Sequence, residues 1–211
     1  MRMFGWRLAR ARGGLTCKPI MRVLLWCCVA LSVGAASADP LVGAAAPGFT
    51  VKDVRGHAHR LSDYTGKIVV LEWSSPECLY SRRYYDNGTL NALYGFAATN
   101  GIVWINVVPK LQEMTAEQAL ARLTTEKKIA VFDDDYAVSA AYDATTTPQI
   151  HIIDKRGVLA YSGAIDSTAT LKKTAGPIVP YVKNALDDLL AGREVGRKIT
   201  QAFGCYIQRR H

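Results

Sequence analysis

Two stretches of the chain are apolar at nearly every position, and they constrain the fold more than any other feature. Ile68-Val69-Val70-Leu71-Glu72-Trp73 and Ile102-Val103-Trp104-Ile105-Asn106-Val107-Val108 lack the alternation of a half-solvated strand. Such runs read as strands buried on both faces, so a layer must lie above and below the sheet they share. Helical spacing follows the first run, from Leu79 to Thr99 through Tyr80, Tyr84, Leu90, Leu93, Tyr94 and Ala97, with a break at Asn87-Gly88. A second helix is expected from Thr115 to about Glu126, opened by Glu117 and Gln118. Ile129–Phe132 reads as a short strand, and Asp133-Asp134-Asp135 as the cap of a brief helix, Tyr136–Tyr142. Ile150–Ile153, the turn Asp154-Lys155-Arg156-Gly157 and Val158–Tyr161 form a hairpin. A last helix opens at Pro177 or Pro180 and ends near Ala191-Gly192. Phe49-Thr50-Val51 and His57-Ala58-His59 suggest a small hairpin at the sheet edge. Alternating strands and helices closed by a hairpin and a helix predict an α/β fold, a mixed central β-sheet flanked by helices.

The N-terminal 38 residues read as a signal peptide rather than as part of this fold. Met21-Arg22 precedes an apolar run, Val23 to Ala35, which ends in Ala36-Ser37-Ala38 before Asp39-Pro40. The run is shorter than the roughly 20 residues that span a bilayer, so no stable membrane span is expected after cleavage. The long basic lead before Met21 fits a true start at that methionine. The leader holds six basic residues (Arg2, Arg7, Arg10, Arg12, Lys18 and Arg22) of the chain's 26, and none of its 18 acids. The remainder therefore carries 20 basic and 18 acidic residues, a net of +2, which gives no nucleic-acid footprint. Cys17, Cys27 and Cys28 leave with the leader, so Cys78 and Cys205 remain, in a compartment where disulfides persist. Residues 39–192 form the expected domain, and 193–211 a weakly patterned tail carrying Cys205.

Cys78 is the leading candidate for chemistry. It lies where the first buried strand hands over to a helix, so its sulfur faces unpaired N–H groups and the positive end of the helix dipole. Arg82 and Arg83 follow one turn later. The alternative is a buried cysteine acting as a small hydrophobe. Glu72 interrupts an aliphatic run; buried, its carboxyl is pushed up by desolvation and suits proton exchange, whereas at the strand end it simply meets solvent. Thr147-Pro148 precedes Gln149–Ile153, where proline cannot donate to a ladder, so a special turn is expected there, with a cis bond as one form. In that form the Thr147 backbone is free to bind an extended segment.

This arrangement resembles the thioredoxin superfamily over nearly all of residues 41–191. Glu72, six residues before Cys78, matches its buried acid; Cys78 matches the first cysteine of the CxxC motif; Pro148 matches the cis-proline. The segment Leu71 to Cys78, with Asp154-Lys155-Arg156-Gly157 and Gly204-Cys205, is similar to the redoxin branch, the AhpC/TSA or peroxiredoxin-like family. Two departures stand out. Ser81 occupies the second CxxC position, and the PxxxTxxC pattern of peroxiredoxins has Leu71 and Ser75 in place of its proline and threonine. The resemblance implies an exported thiol oxidoreductase with Cys78, Cys205, Glu72 and Ser75 as catalytic candidates. Thr147, Pro148, Arg82 and Ser81 then lie on the substrate side.

Two activities follow from it. Cys78 attacks a peroxide or a disulfide, with Cys205 as the resolving thiol and an external thiol reductant closing the cycle. Alternatively, Cys78 forms mixed disulfides with exported proteins as a monothiol exchange factor, or the domain is a redox-inactive binding module. For Cys205, resolving thiol, structural disulfide and free thiol all remain open; a bond to Cys78 needs Cα atoms within roughly 7 Å. His57 and His59 share a face, but two ligands do not make a metal site. His151 reads as an ordinary strand histidine, and Tyr84, Tyr85, Tyr94 and Trp104 as core. No cofactor and no metal are expected.

Overall fold

The computed structural model describes residues 42–75, 77–109, 128–170 and 176–207. The expected leader, the expected helix at 115–126 and Pro76 lie outside the described residues. Five strands form the central sheet: β3 (Val69–Trp73), β4 (Val103–Pro109), β5 (Ile129–Asp133), β7 (Gln149–Ile153) and β8 (Leu159–Gly163). Their order is β5-β4-β3-β7-β8, parallel across β5, β4 and β3, and antiparallel from β3 through β7 to β8. The mixed sheet expected from the alternation is therefore present, with its antiparallel hairpin on one side.

Side-chain alternation along β3 sorts two cores. Val70 joins Leu90, Leu93, Tyr94, Trp104, Ile150, Ile152 and Leu186 on the face covered by α1 (Leu79–Asp86), α2 (Thr89–Thr99) and α4 (Tyr181–Leu190). Val69, Leu71 and Trp73 join Ile105, Val107, Val131, Val138 and Tyr142 on the other face, beside α3 (Ala137–Ala141). Every residue of β3 is buried, which is why this strand has no polar alternation. Glu72 shares the Val70 face, so its carboxylate points into the α1–α2 layer.

Local chemistry sets the boundaries. Gly88, in the left-handed region at φ 78°, separates α1 from α2. The Asp133 carboxylate accepts hydrogen bonds from the Val138 and Ser139 amides, 3.0 and 2.7 Å, and Asp135 accepts from Ala137, so the acidic triplet does cap α3. The expected N-terminal hairpin exists, β1 (Thr50–Lys52) against β2 (Ala58–Arg60), but as its own two-stranded sheet. A bridge from Asp53 to Val131 sets it beside edge strand β5. His57 precedes β2; both it and His59 contact the Asp53 carboxylate, at 3.3 and 3.2 Å. Burial raises the Asp53 pKa, but the His59 ring, then the His57 and Arg55 amides, outweigh it and lower the value to about 2.

Residues 193–207 make more contacts than their weak pattern suggests. The Ser162 amide donates to the Lys198 carbonyl and the Thr200 amide to the Ser162 carbonyl, both at 3.0 Å. Thr200 Oγ1 pairs with the Tyr161 hydroxyl and accepts from the Ala164 amide. Beyond it, β9 (Cys205–Tyr206) pairs antiparallel with β6 (Thr146–Thr147), in register Thr147 to Cys205.

Candidate active site

Cys78 occupies the N-cap of α1 with extended backbone, φ −78° and ψ 121°. Its amide donates to the Ser75 carbonyl at 3.1 Å, and its carbonyl accepts from the Arg82 amide at 2.8 Å. The sulfur is bonded to Cys205, with a Cα–Cα distance of 5.9 Å and a sequence separation of 127. It lies 3.0 Å from the Thr147 carbonyl oxygen, and the Thr147–Pro148 peptide is cis. Cys78 is 3% exposed, whereas Cys205 on the overlying strand is exposed. The chain thus brings together the head of α1, the proline turn and the tail cysteine. The other candidate positions form its surroundings.

Ser81 is buried below Cys78 and accepts a long hydrogen bond, 3.4 Å, from the Ser75 amide. The Ser75 hydroxyl accepts from the Glu77 amide at 3.2 Å, a local turn contact. Arg82 is exposed. Its neighbour Arg83 is committed elsewhere, donating to the Tyr84 hydroxyl at 2.7 Å and the Thr168 hydroxyl at 3.0 Å.

Glu72 is wholly buried, which settles the choice between core and solvent. Three side chains that the sequence places in the core are its hydrogen-bond donors. The Tyr94 hydroxyl lies 2.8 Å from Oε2 and the Tyr85 hydroxyl 3.2 Å from Oε1, while Trp104 Nε1 donates to Oε2 at 2.6 Å. A buried carboxylate requires such satisfaction, since desolvation without partners is costly. Lys128 completes the group. Only 8% exposed, its Nζ lies 3.3 Å from the Tyr94 hydroxyl and 4.6 Å from that ring's centroid. Burial pulls the lysine pKa down, and the Glu72 charge opposes that fall. The Tyr85 and Tyr94 hydroxyls are both pushed above the ordinary tyrosine range, first by burial and then by Glu72. The one available signal for Lys128 was a cation opening the apolar run Ile129–Phe132.

A hydrogen-bonded path leads from this cluster toward the cysteine loop. Ser74 Oγ pairs with the Tyr85 hydroxyl at 2.8 Å and accepts from Asn106 Nδ2 at 2.7 Å. On the opposite face His151 is packed between Trp73 and Tyr142, ring centroids 5.0 and 5.6 Å away, and burial lowers its pKa to about 4. Among the described residues no group of three or more His, Cys, Asp or Glu is placed to hold a metal ion, and no helix is long and apolar enough to cross a membrane.

The AhpC/TSA family profile matches residues 42–162, more than half of the chain. The chain belongs to the AhpC/TSA family. A curated relative, the thiol-disulfide oxidoreductase ResA of Geobacillus kaustophilus, is 31% identical over 116 residues, 55% of this chain and 65% of its own length. The ResA of Geobacillus thermodenitrificans is 29% identical over the same shares. This chain thus spans just under two thirds of the curated relatives it matches. A hypothetical protein of Sinorhizobium meliloti superposes with a TM-score of 0.69 at 22% identity, covering 81% of this chain and 95% of that one. A putative thiol:disulfide interchange protein DsbE of Chlorobium tepidum superposes at 0.50 and 23% identity, covering 58% and 84%. The AhpC/TSA chain has a thioredoxin-like fold.

Proposed function

We propose that this AhpC/TSA protein is a thiol-disulfide oxidoreductase that cycles between a Cys78–Cys205 disulfide and the corresponding dithiol. The observation that carries the reading is the bond itself, formed at the head of α1 against the Thr147–Pro148 turn. In the reduced protein the Cys78 thiolate, favoured by the helix N-terminus, attacks one sulfur of a client disulfide; the other leaves as a thiolate. Cys205 thiolate then attacks Cys78 Sγ in the mixed disulfide, and the client's second sulfur departs. Two electrons pass to the client, and each departing thiolate takes up a proton. Run backwards, the same steps oxidise a client dithiol. An external thiol, low-molecular-weight or protein-borne, resets the oxidised form.

Protein disulfides are better supported as substrate than peroxide. The Ser75 hydroxyl that stands for the peroxidase threonine is engaged with the Glu77 amide, Leu71 stands for the proline, and the two ResA relatives are named thiol-disulfide oxidoreductases. The leader-like sequence and the disulfide support an exported protein. Stopped-flow mixing of the reduced protein with a chromogenic disulfide and, separately, with hydrogen peroxide tests this. Fast exchange that Cys78→Ser abolishes, with peroxide consumption no faster than that of free cysteine, is the expected result. Fast peroxide turnover without disulfide exchange overturns it.

A further inference from the structure

The tail reaches Cys78 by a particular route. Its last strand forms backbone pairs with the very edge that any extended partner of the Thr147–Pro148 turn has to use. Thr147 pairs with Cys205 and Thr146 with Tyr206, the Thr147 hydroxyl donates to the Cys205 carbonyl at 3.4 Å, and the Ile207 amide donates to the Thr145 carbonyl at 2.9 Å. Three positions in and beside this strand differ sharply in their surroundings. At residue 204 the backbone presses so close to the Thr147 carbonyl that a β-carbon would overlap both its oxygen and its carbon. Tyr206 is 84% exposed and makes no demand on the site. Ile207 is 9% exposed and belongs to the core that includes Val69, Leu71 and Val138.

We propose that residues 204–207 are an internal copy of the client, and that this site selects an extended segment with glycine just before the reacting cysteine and an aliphatic residue two positions after it. The inference rests on the exchange reading above and names its substrate class. The reason is geometric. A client sulfur must reach Cys78 Sγ while the client backbone pairs with Thr147, the same two constraints that Cys205 meets. A chain that meets both follows the same path past the Thr147 carbonyl, where only glycine fits. A bulkier residue forces the strand away from the edge and the sulfur away from its target. Tail and client compete for one edge, so a client enters only when β9 lifts off. The upstream anchor at Thr200 keeps the lifted strand close and returns Cys205 for the resolving attack.

Two full-chain proteins and two peptides test this. Cys205→Ser leaves Cys78 free beneath a tail that still docks, and Cys205→Ser/Gly204→Val carries the overlap that undocks it. The probes are Ala-Phe-Gly-Cys-Tyr-Ile and Ala-Phe-Val-Cys-Tyr-Ile, each with thionitrobenzoate on the cysteine. Attack by Cys78 thiolate bonds it to the peptide sulfur, and coloured thionitrobenzoate leaves with the electron pair. The glycine peptide is expected to react about tenfold faster than the valine peptide in both proteins, and several-fold faster in the double variant than in the single one. The ratio in Cys205→Ser alone decides the selectivity, so the test stands even where the double variant fails to fold. The small symmetric disulfide of the same chromophore provides the reference. Equal peptide rates with a normal reaction toward that reference overturn the selectivity and leave the exchange function standing. No reaction with either peptide or the reference removes both.

Discussion

Replacing Cys205 with serine cuts the covalent tie between the C-terminal strand and the head of α1. The bond closes a loop of 127 residues. In the chain-entropy treatment, a loop of that length restricts the unfolded chain by about 5 kcal/mol at 25 °C. The native side changes little, because Thr200 and Ile207 hold the tail through hydrogen bonds of their own. For the 166 residues from 42 to 207, the unfolding entropy is about 0.35 kcal/mol per kelvin, so the full effect corresponds to a fall in Tm of about 14 °C. Compactness of the real unfolded ensemble trims this to the range of about 8–14 °C. Thermal unfolding followed by circular dichroism compares oxidised wild type, wild type under a phosphine reductant, and Cys205→Ser. The reduced wild type and the variant should melt together, well below the oxidised protein. A drop of less than about 3 °C would contradict the loop-entropy argument. So would a reduced wild type that melts with the oxidised one, since the bond would then restrain little that the fold does not already restrain.

Tyr94→Phe removes a donor to both oxygens of Glu72 and should cost about 2 kcal/mol in denaturant unfolding, because a buried carboxylate is left short of partners; an unchanged midpoint would mean that water replaces the hydroxyl. His151 titrates near 4 in the fold against 6.5 unfolded. Its contribution is therefore whole above pH 6.5 and is lost as pH falls toward 4, a decline of about 3 kcal/mol. Unfolding midpoints measured across that window should fall in the wild type and stay flatter in His151→Phe. Asp53, held near 2, yields its share only below its ordinary value of 3.8, so the two limbs separate. Gly163, at φ 149°, would drive a β-carbon into Thr200; Gly163→Ala should lift the tail anchor at a cost of about 2 kcal/mol, read as faster hydrogen exchange at the Thr200 and Ser162 amides.

The parts of this protein that short stretches of sequence could reveal are those governed by local rules. Ile68–Trp73 announces a strand with two covered faces, Asn87-Gly88 breaks a helix, Asp133-Asp134-Asp135 caps one, and Pro148 marks a turn that cannot continue a ladder. Cys78 was legible for the same reason, since the end of a buried strand followed by helical spacing fixes where its sulfur must sit. Glu72 was legible only as a choice, core or solvent, because period-2 alternation gives the face and not what covers it. Tyr85, Tyr94 and Trp104 come from three elements and Lys128 from just before a fourth, β5, and their convergence on one carboxylate has no signature along the chain. The tail is the extreme case: two-residue strands carry no periodicity, and Gly204 looks like any turn glycine until its backbone meets the Thr147 carbonyl. Local patterns thus give the layered sheet and the position of Cys78 at a helix head, because neighbouring residues and burial patterns suffice for both. Which thiol meets Cys78, and what surrounds the buried acid, emerge in three dimensions, because those contacts join positions dozens of residues apart through backbone pairing and close packing.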